Sequence, residues 1–153
     1  MRTLEHRIPP PVVAAVIAFG MWHLATLLPA VAVAVNLRLA AATAVGLIGI
    51  AIDVVCAIAF WRARTTVNPL RPANTQTLVT DGLYRFSRNP MYVGQLLVLL
   101  AWAIYLASPL SLAGPVAFIL FINRFQIEPE EKVLTSRFGD AYARYRAATR
   151  RWL

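Results

Sequence analysis

Four stretches of the chain contain almost no charge, and this feature limits the fold more than any other. They are residues 11–28, 39–61, 91–107 and 110–122. About 20 apolar residues in a helix cross the core of a bilayer, and the two shorter stretches approach this length with their flanks. The chain is 59% hydrophobic and only 14% charged, which is too apolar for an ordinary soluble domain. The sequence therefore predicts an all-α integral membrane protein with about four transmembrane helices.

The charge of the connecting segments predicts the orientation of these helices. Arginine is concentrated in residues 62–89 and after Ile122, whereas the link between the first two stretches carries only Arg38. Cytoplasmic loops carry the excess of basic residues, so we expect both termini in the cytoplasm. Lys132 is the only lysine among fifteen basic residues, which is typical of a GC-rich bacterial genome. We therefore expect a bacterial inner membrane protein whose site faces the cytoplasm.

The length of 153 residues predicts a single domain with four parts. Residues 1–61 hold the first two spans, 62–90 a cytoplasmic loop, 91–125 a helical hairpin reversed at Ser108-Pro109, and 126–153 an amphipathic helix on the membrane surface. Most of the net charge of +8 flanks the spans, so anionic lipid headgroups are the expected partner and nucleic acid is not. No cluster of residues suggests a metal site.

Asp53 is a charged residue inside the second apolar stretch. It shares a helical stripe with Ala42, Gly46 and Gly49, and small residues of this kind allow close helix packing or pairing of two copies of the chain. Asp53 should therefore point inward, with His23 of the first stretch as its expected partner. We favour a structural role for both residues.

Two polar clusters lie at the ends of the last two apolar stretches. The first is residues 82–92 and the second is residues 124–131, and a hairpin brings both to one membrane face. Pro129 should bend the backbone and start a new helix, because proline lacks the N–H of a helical hydrogen bond. Arg124, Glu128 and Glu131 would share one helical face.

These residue types could serve a cationic cofactor beside a lipid-soluble substrate. A carboxylate such as Glu128 suits an ammonium group, Arg124 suits a carboxylate or phosphate, and Tyr84 or Tyr92 suits an aromatic base. Each residue singly fits a structural role equally well, as a topology signal, an interfacial anchor or a helix cap. Their joint pattern favours a site.

From about residue 65 to the C-terminus, the sequence resembles the isoprenylcysteine carboxyl methyltransferase and phospholipid methyltransferase superfamily of membrane enzymes. The matching residues are Leu78-Val79-Thr80-Asp81-Gly82-Leu83-Tyr84-Arg85, Arg88-Asn89-Pro90-Met91-Tyr92, and then Arg124, Glu128, Glu130-Glu131, Leu134, Phe138-Gly139, Tyr142 and Tyr145. The resemblance implies methyl transfer from S-adenosylmethionine to a lipophilic acceptor. The cofactor contacts implied are Gln76, Thr77, Leu78, Val79, Tyr84, Asn89, Pro90, Met91, Tyr92 and Glu128.

The resemblance also implies that Arg124 lies near the acceptor, and Glu128 or Glu131 is the nearest general base if the acceptor is an amine. Many relatives have histidine at the position of Asn89, and eukaryotic members have it at Gln76. A carboxamide does not exchange a proton near neutral pH, which argues against a mechanism with a base at either position. Two alternatives remain open: an NADPH-dependent reductase like the sterol reductases, and a non-catalytic membrane subunit.

Overall fold

The computed structural model describes residues 8–62 and 78–153, and it confirms the all-α class. Within these ranges the helices are α1 Pro10–Ala25, α2 Val35–Arg62, α3 Pro90–Leu106, α4 Ala113–Ile122 and α5 Glu128–Ala148. Short 3₁₀ turns over Gly82–Arg85 and Pro109–Leu112 precede α3 and α4. The described part of the chain contains no β-strand beyond a single bridge between Ser87 and Arg150.

Two helical stretches are long and apolar enough to cross a membrane. One is α2, and the other runs from Pro109 through α4 to Ala148. The helices α1 and α3 are apolar but shorter, with 16 and 17 residues. All four predicted stretches thus form helices, whereas the number that spans a bilayer and the side on which the termini lie stay predictions.

The stripe of small residues on α2 packs directly against α3. Gly46 faces Ala101, and Gly49 faces the backbone of Gly94. A Cβ atom added at Gly49 would lie 2.6 Å from the carbonyl oxygen of Gly94, so glycine allows the two backbones to approach. Asp53 of the same stripe also faces Gly94, which confirms its predicted inward orientation.

The predicted pairing of His23 with Asp53 is wrong. The ring of His23 lies on an exposed part of α1 and contacts Phe19 and Trp22. The helix α1 packs against α3 and α4, whereas α2 packs chiefly against α3. The first two helices are therefore held together through α3, and this arrangement keeps the histidine and the carboxylate apart.

The helices α3 and α4 form the predicted antiparallel hairpin. The helix α3 ends at Leu106, and the next residue, Ala107, adopts a left-handed conformation with φ of 50°. Ser108 and the turn Pro109–Leu112 then reverse the chain, and the hydroxyl of Ser111 donates to the carbonyl of Ser108 at 2.6 Å. The ends of α3 and α4 that carry the two polar clusters are consequently neighbours.

A new helix starts beside Pro129, as predicted, but the backbone on the N-terminal side of Pro129 stays helical. A π-helical turn over Asn123–Ile127 follows α4, and Pro129 occupies the first turn of α5, where proline is well tolerated. The break lies at Gly139, with φ of 46° and ψ of −121°, and it was not predicted. The amphipathic segment is therefore two helical pieces, and it ends at Ala148.

We expect Gly49→Ala to lower the free energy of unfolding by about 1–3 kcal/mol, the usual cost of overpacking, because its Cβ would meet the Gly94 backbone. Gly20→Ala is the matched control. Gly20 lies inside α1 with open space around it, so alanine should be neutral or stabilising by about 0.5–1 kcal/mol. Thermal unfolding followed by circular dichroism in detergent measures both. Equal effects would contradict this account of the α2–α3 contact.

Candidate functional site

The first turns of α3 and α5 lie together, as the two polar clusters predict. The hydroxyl of Tyr92 donates to Oε2 of Glu130 at 3.4 Å. Close by, Nη2 of Arg88 donates to Oε1 of Glu131 at 3.0 Å. Both contacts connect the chain around Pro90 with the chain around Pro129. We call residues 88–92, residues 128–131 and the C-terminal residues 149–153 together the mouth.

Glu131 is the centre of an ion-pair cluster within the mouth. Arg151 binds it with two hydrogen bonds, from Nη2 to Oε2 at 2.7 Å and from Nε to Oε1 at 3.1 Å. The side chains of Arg88 and Glu131 are only 10% and 13% exposed, so little solvent weakens their attraction. The hydrogen bonds to Glu131 raise the pKa of Arg151. Both oxygens of Glu131 are thus bonded to arginine.

Residues 149–153, which follow α5, form a C-terminal tail that folds back onto the start of α3. The backbone N–H of Arg88 donates to the carbonyl of Arg150 at 2.9 Å. The side-chain amide of Asn89 donates to the carbonyl of Arg151 at 2.8 Å, and the indole N–H of Trp152 donates to Oδ1 of Asn123 at 3.0 Å. This tail fixes the side chain of Asn89 before α3 begins.

The tail corrects the interpretation of Arg151 and Trp152 as parts of a surface helix. Both residues lie beyond Ala148, where α5 ends. Their spacing continues the helical period of the residues before them, so the period alone could not locate the helix end. Thr149 is extended, with φ of −129° and ψ of 135°, and it turns the chain toward Asn89.

Tyr84 is buried beside the mouth. Its ring meets Phe60 of α2 edge-on, with ring centroids 5.4 Å apart, and its carbonyl accepts the hydroxyl of Tyr145 at 2.7 Å. Burial raises the pKa of Tyr84 far above its ordinary value, and the nearby Cys56 adds to this effect. Cys56 itself is buried, as expected for a small apolar residue. Tyr84 therefore packs as a neutral residue between α2 and α5.

Arg124 and Glu128 form an exposed ion pair at the edge of the mouth. Nη1 of Arg124 donates to Oε2 of Glu128 at 3.2 Å, and the side chains are 49% and 41% exposed. Because both side chains are exposed, a ligand can reach them. Exposed ion pairs also add little stability, so separating this pair costs little. The partners of Glu131 are instead Arg88 and Arg151, so Glu131 does not join the ion pair of Arg124 with Glu128.

The other residues predicted to contact a cofactor lie at the start of α3 or precede it in the chain. Pro90 and Tyr92 are buried, and Leu78, Val79, Asn89 and Met91 are half-buried. Gln76 and Thr77 lie outside the described residues. Glu130, in the first turn of α5, carries part of the family resemblance but was not among the predicted site residues. Its contact with Tyr92 makes it a further member of the candidate site.

A bundle of apolar helices with a polar, ion-paired mouth is typical of a membrane enzyme that acts where lipid meets water. The chain belongs to the phospholipid methyltransferase family, since the family model of that description matches residues 37–141. The match includes nearly all of α2, all of α3 and α4, both polar clusters and most of α5, whereas the C-terminal tail of the mouth lies outside it.

Two of the most similar relatives are named enzymes. They are the protein-S-isoprenylcysteine O-methyltransferases of Schizosaccharomyces pombe, 40% identical over 75 residues, and of Xenopus laevis, 36% identical over 77 residues. These matches cover 45% and 48% of this chain but only 29% and 26% of the relatives, so the chain spans less than a third of either enzyme.

A third relative is an uncharacterised protein of Haemophilus influenzae. It is 52% identical over 63 residues, which are 41% of this chain and the whole of that protein. No solved structure matches the chain.

We expect Glu131→Gln to lower the free energy of unfolding by about 2–3 kcal/mol, between the values typical of exposed and buried ion pairs. The change leaves Arg88 and Arg151 without their carboxylate. Glu128→Gln is the matched control and should cost less than about 1 kcal/mol, because its pair with Arg124 is exposed. Thermal unfolding of both variants in detergent gives the comparison. A Glu131→Gln protein as stable as the control would contradict the ion-pair role.

Proposed function

We propose that this protein is a membrane methyltransferase that uses S-adenosylmethionine and transfers the methyl group to a lipophilic acceptor. The candidates for the acceptor are an isoprenoid carboxylate, a lipid amine and a thiol. Membership of the phospholipid methyltransferase family and the names of two relatives support the reaction class. They favour it over a reductase or a non-catalytic subunit.

In this proposal α1, α2, α3 and the stretch from Pro109 cross a bacterial inner membrane, with both termini and the mouth on the cytoplasmic side. The apolar character of these helices and the arginines beside their ends support the arrangement. A water-soluble cofactor then reaches the mouth from the cytoplasm, and an apolar acceptor reaches it from the bilayer.

The single observation that carries the proposal is the contact of Tyr92 with Glu130, because it joins two separate sequence clusters into one site. Carboxylates suit the positive charge of a sulfonium and an amino group. Glu130 and the exposed Glu128 supply them, while Asn89 and Met91 lie at the start of α3. The residue types at the mouth thus fit S-adenosylmethionine.

We assign Glu131 to positioning, which differs from the catalytic role predicted from sequence. Its oxygens are bonded to Arg88 and Arg151, so its carboxylate is less available to accept a proton than that of Glu128. By holding the C-terminal tail, Glu131 also fixes the backbone that binds Asn89. Arg124 at the exposed edge of the mouth is the residue proposed to bind the acceptor.

The bound cofactor supplies an activated methyl group, so the protein needs to align the reactants and exclude water rather than create a strong electrophile. The buried rings of Tyr84 and Tyr92 exclude solvent from one side of the site. Glu128 orients the positive charge, and Arg124 holds a polar group of the acceptor in line. No proton transfer is needed for a carboxylate or thiolate acceptor.

Isothermal titration calorimetry in detergent tests the cofactor. We expect micromolar binding of S-adenosylhomocysteine and none of NADPH. Glu128→Ala and Tyr92→Ala should weaken binding about tenfold, equivalent to about 1.4 kcal/mol. Arg124→Ala should leave binding intact and lower turnover with a lipid extract as acceptor.

Arg144→Ala is the control for a lost surface arginine, since Arg144 is exposed on α5 away from the clusters described above. It should bind and turn over like the wild type. Binding of NADPH instead of S-adenosylhomocysteine would support a reductase, and binding of neither would support a non-catalytic subunit. Either result overturns the proposal.

A further inference from the structure

A π-helical turn over Asn123–Ile127 joins α4 to α5, and it carries Arg124, the residue proposed to bind the acceptor. Such turns are rare, and they frequently lie at functional sites. One residue more or less in a helical turn rotates the helix beyond it by about 100°. The π-turn therefore decides how Arg124 is placed relative to residues 128–131, which belong to the mouth.

Two side chains of the π-turn bind parts of the chain that are distant in sequence. Gln126 is fully buried, and its Nε2 donates to the carbonyl of Ile8 at 2.8 Å. Oδ1 of Asn123 accepts the indole N–H of Trp152 at 3.0 Å. The segment before α1 and the C-terminal tail thus both hold the π-turn from outside.

Trp152 is also anchored by packing. Its half-buried ring lies against the buried hydrophobic cluster that includes Tyr92, Ile122 and Ile127. Ile122 directly precedes the π-turn, and Ile127 is its last residue. A ring that is fixed by burial can hold its hydrogen-bond partner in one position, so the contact with Asn123 restrains the start of the π-turn.

Neighbouring residues of the tail connect the two sides of the proposed site. The carbonyl of Arg151 accepts the amide of Asn89, a predicted cofactor contact. The next residue, Trp152, binds Asn123, which directly precedes Arg124. Consecutive Cα atoms are about 3.8 Å apart and cannot be stretched further. The tail is therefore a short link between the cofactor side and the acceptor side, and it lies outside the part of the chain that the family model matches.

We propose that Trp152 is a positioning residue, which acts through Asn123 to set Arg124 relative to the bound cofactor. The inference rests on the proposed methyltransferase function. Methyl transfer requires the acceptor, the methyl carbon and the sulfur to lie in line, and a displacement of about 1 Å can lower the rate about 100-fold. Loss of the Trp152 hydrogen bond should therefore lower turnover while the cofactor still binds.

The substitution Trp152→Phe keeps an aromatic ring for packing and removes only the indole N–H. Turnover is measured in phosphatidylcholine nanodiscs with methyl-labelled S-adenosylmethionine and a total bacterial lipid extract as the acceptor. We expect kcat to fall at least about tenfold, while the Kd of S-adenosylhomocysteine changes by less than about twofold. Trp22→Phe is the matched control, because Trp22 is 49% exposed near the far end of α1. It should turn over like the wild type.

Asn123→Ala removes the other half of the same hydrogen bond. It should lower kcat about as much as Trp152→Phe does, and the double variant should lose little more, because both changes break one contact. Hydrogen exchange gives a readout that needs no acceptor. The backbone amides of residues 123–127 should exchange faster in Trp152→Phe, whereas those of α2 should be unchanged.

Two results overturn the inference alone: a Trp152→Phe protein with the kcat of the wild type, and one that loses cofactor binding as strongly as turnover. Losses that multiply in the double variant contradict it as well. The wild type tests the proposed function separately. If it neither binds S-adenosylhomocysteine nor transfers methyl groups, the methyltransferase proposal is wrong, and the positioning role fails with it.

Discussion

The close approach of α2 and α3 at Gly49 and Gly94 is the contact on which the other features of the bundle depend. Side chains at either position would push the helix backbones apart. In an apolar phase, helices gain little from hydrophobic burial against each other, so tight van der Waals packing at small residues supplies much of their attraction. This contact sets the position of α3, which carries Tyr92 to its contact with Glu130.

The mouth is held by a second kind of interaction. Arg88, Glu131 and Arg151 join the start of α3, the start of α5 and the C-terminal tail. Partly buried ion pairs contribute modestly to stability, but they require one geometry and therefore fix which elements meet. Ion pairs thus hold the elements of the mouth together, whereas close packing at small residues holds α2 against α3.

The acidic residues of the mouth fall into two classes. Glu131 has charged partners in the protein, as expected of a residue that holds the tail in place. Glu128 instead has only an exposed pair with Arg124, so its carboxylate remains accessible to a ligand.

The sequence by itself determined the helical class, the four apolar stretches, the hairpin at Ser108-Pro109, and the meeting of the two polar clusters. Uncharged length and proline position are local properties, and they require no knowledge of distant neighbours. Only the tertiary structure decided that His23 lies away from Asp53, that Glu131 pairs with Arg88 and Arg151, and that the tail folds back after Ala148. These results depend on which helices flank α3 and on where a helical period stops, and periodicity carries information about neither.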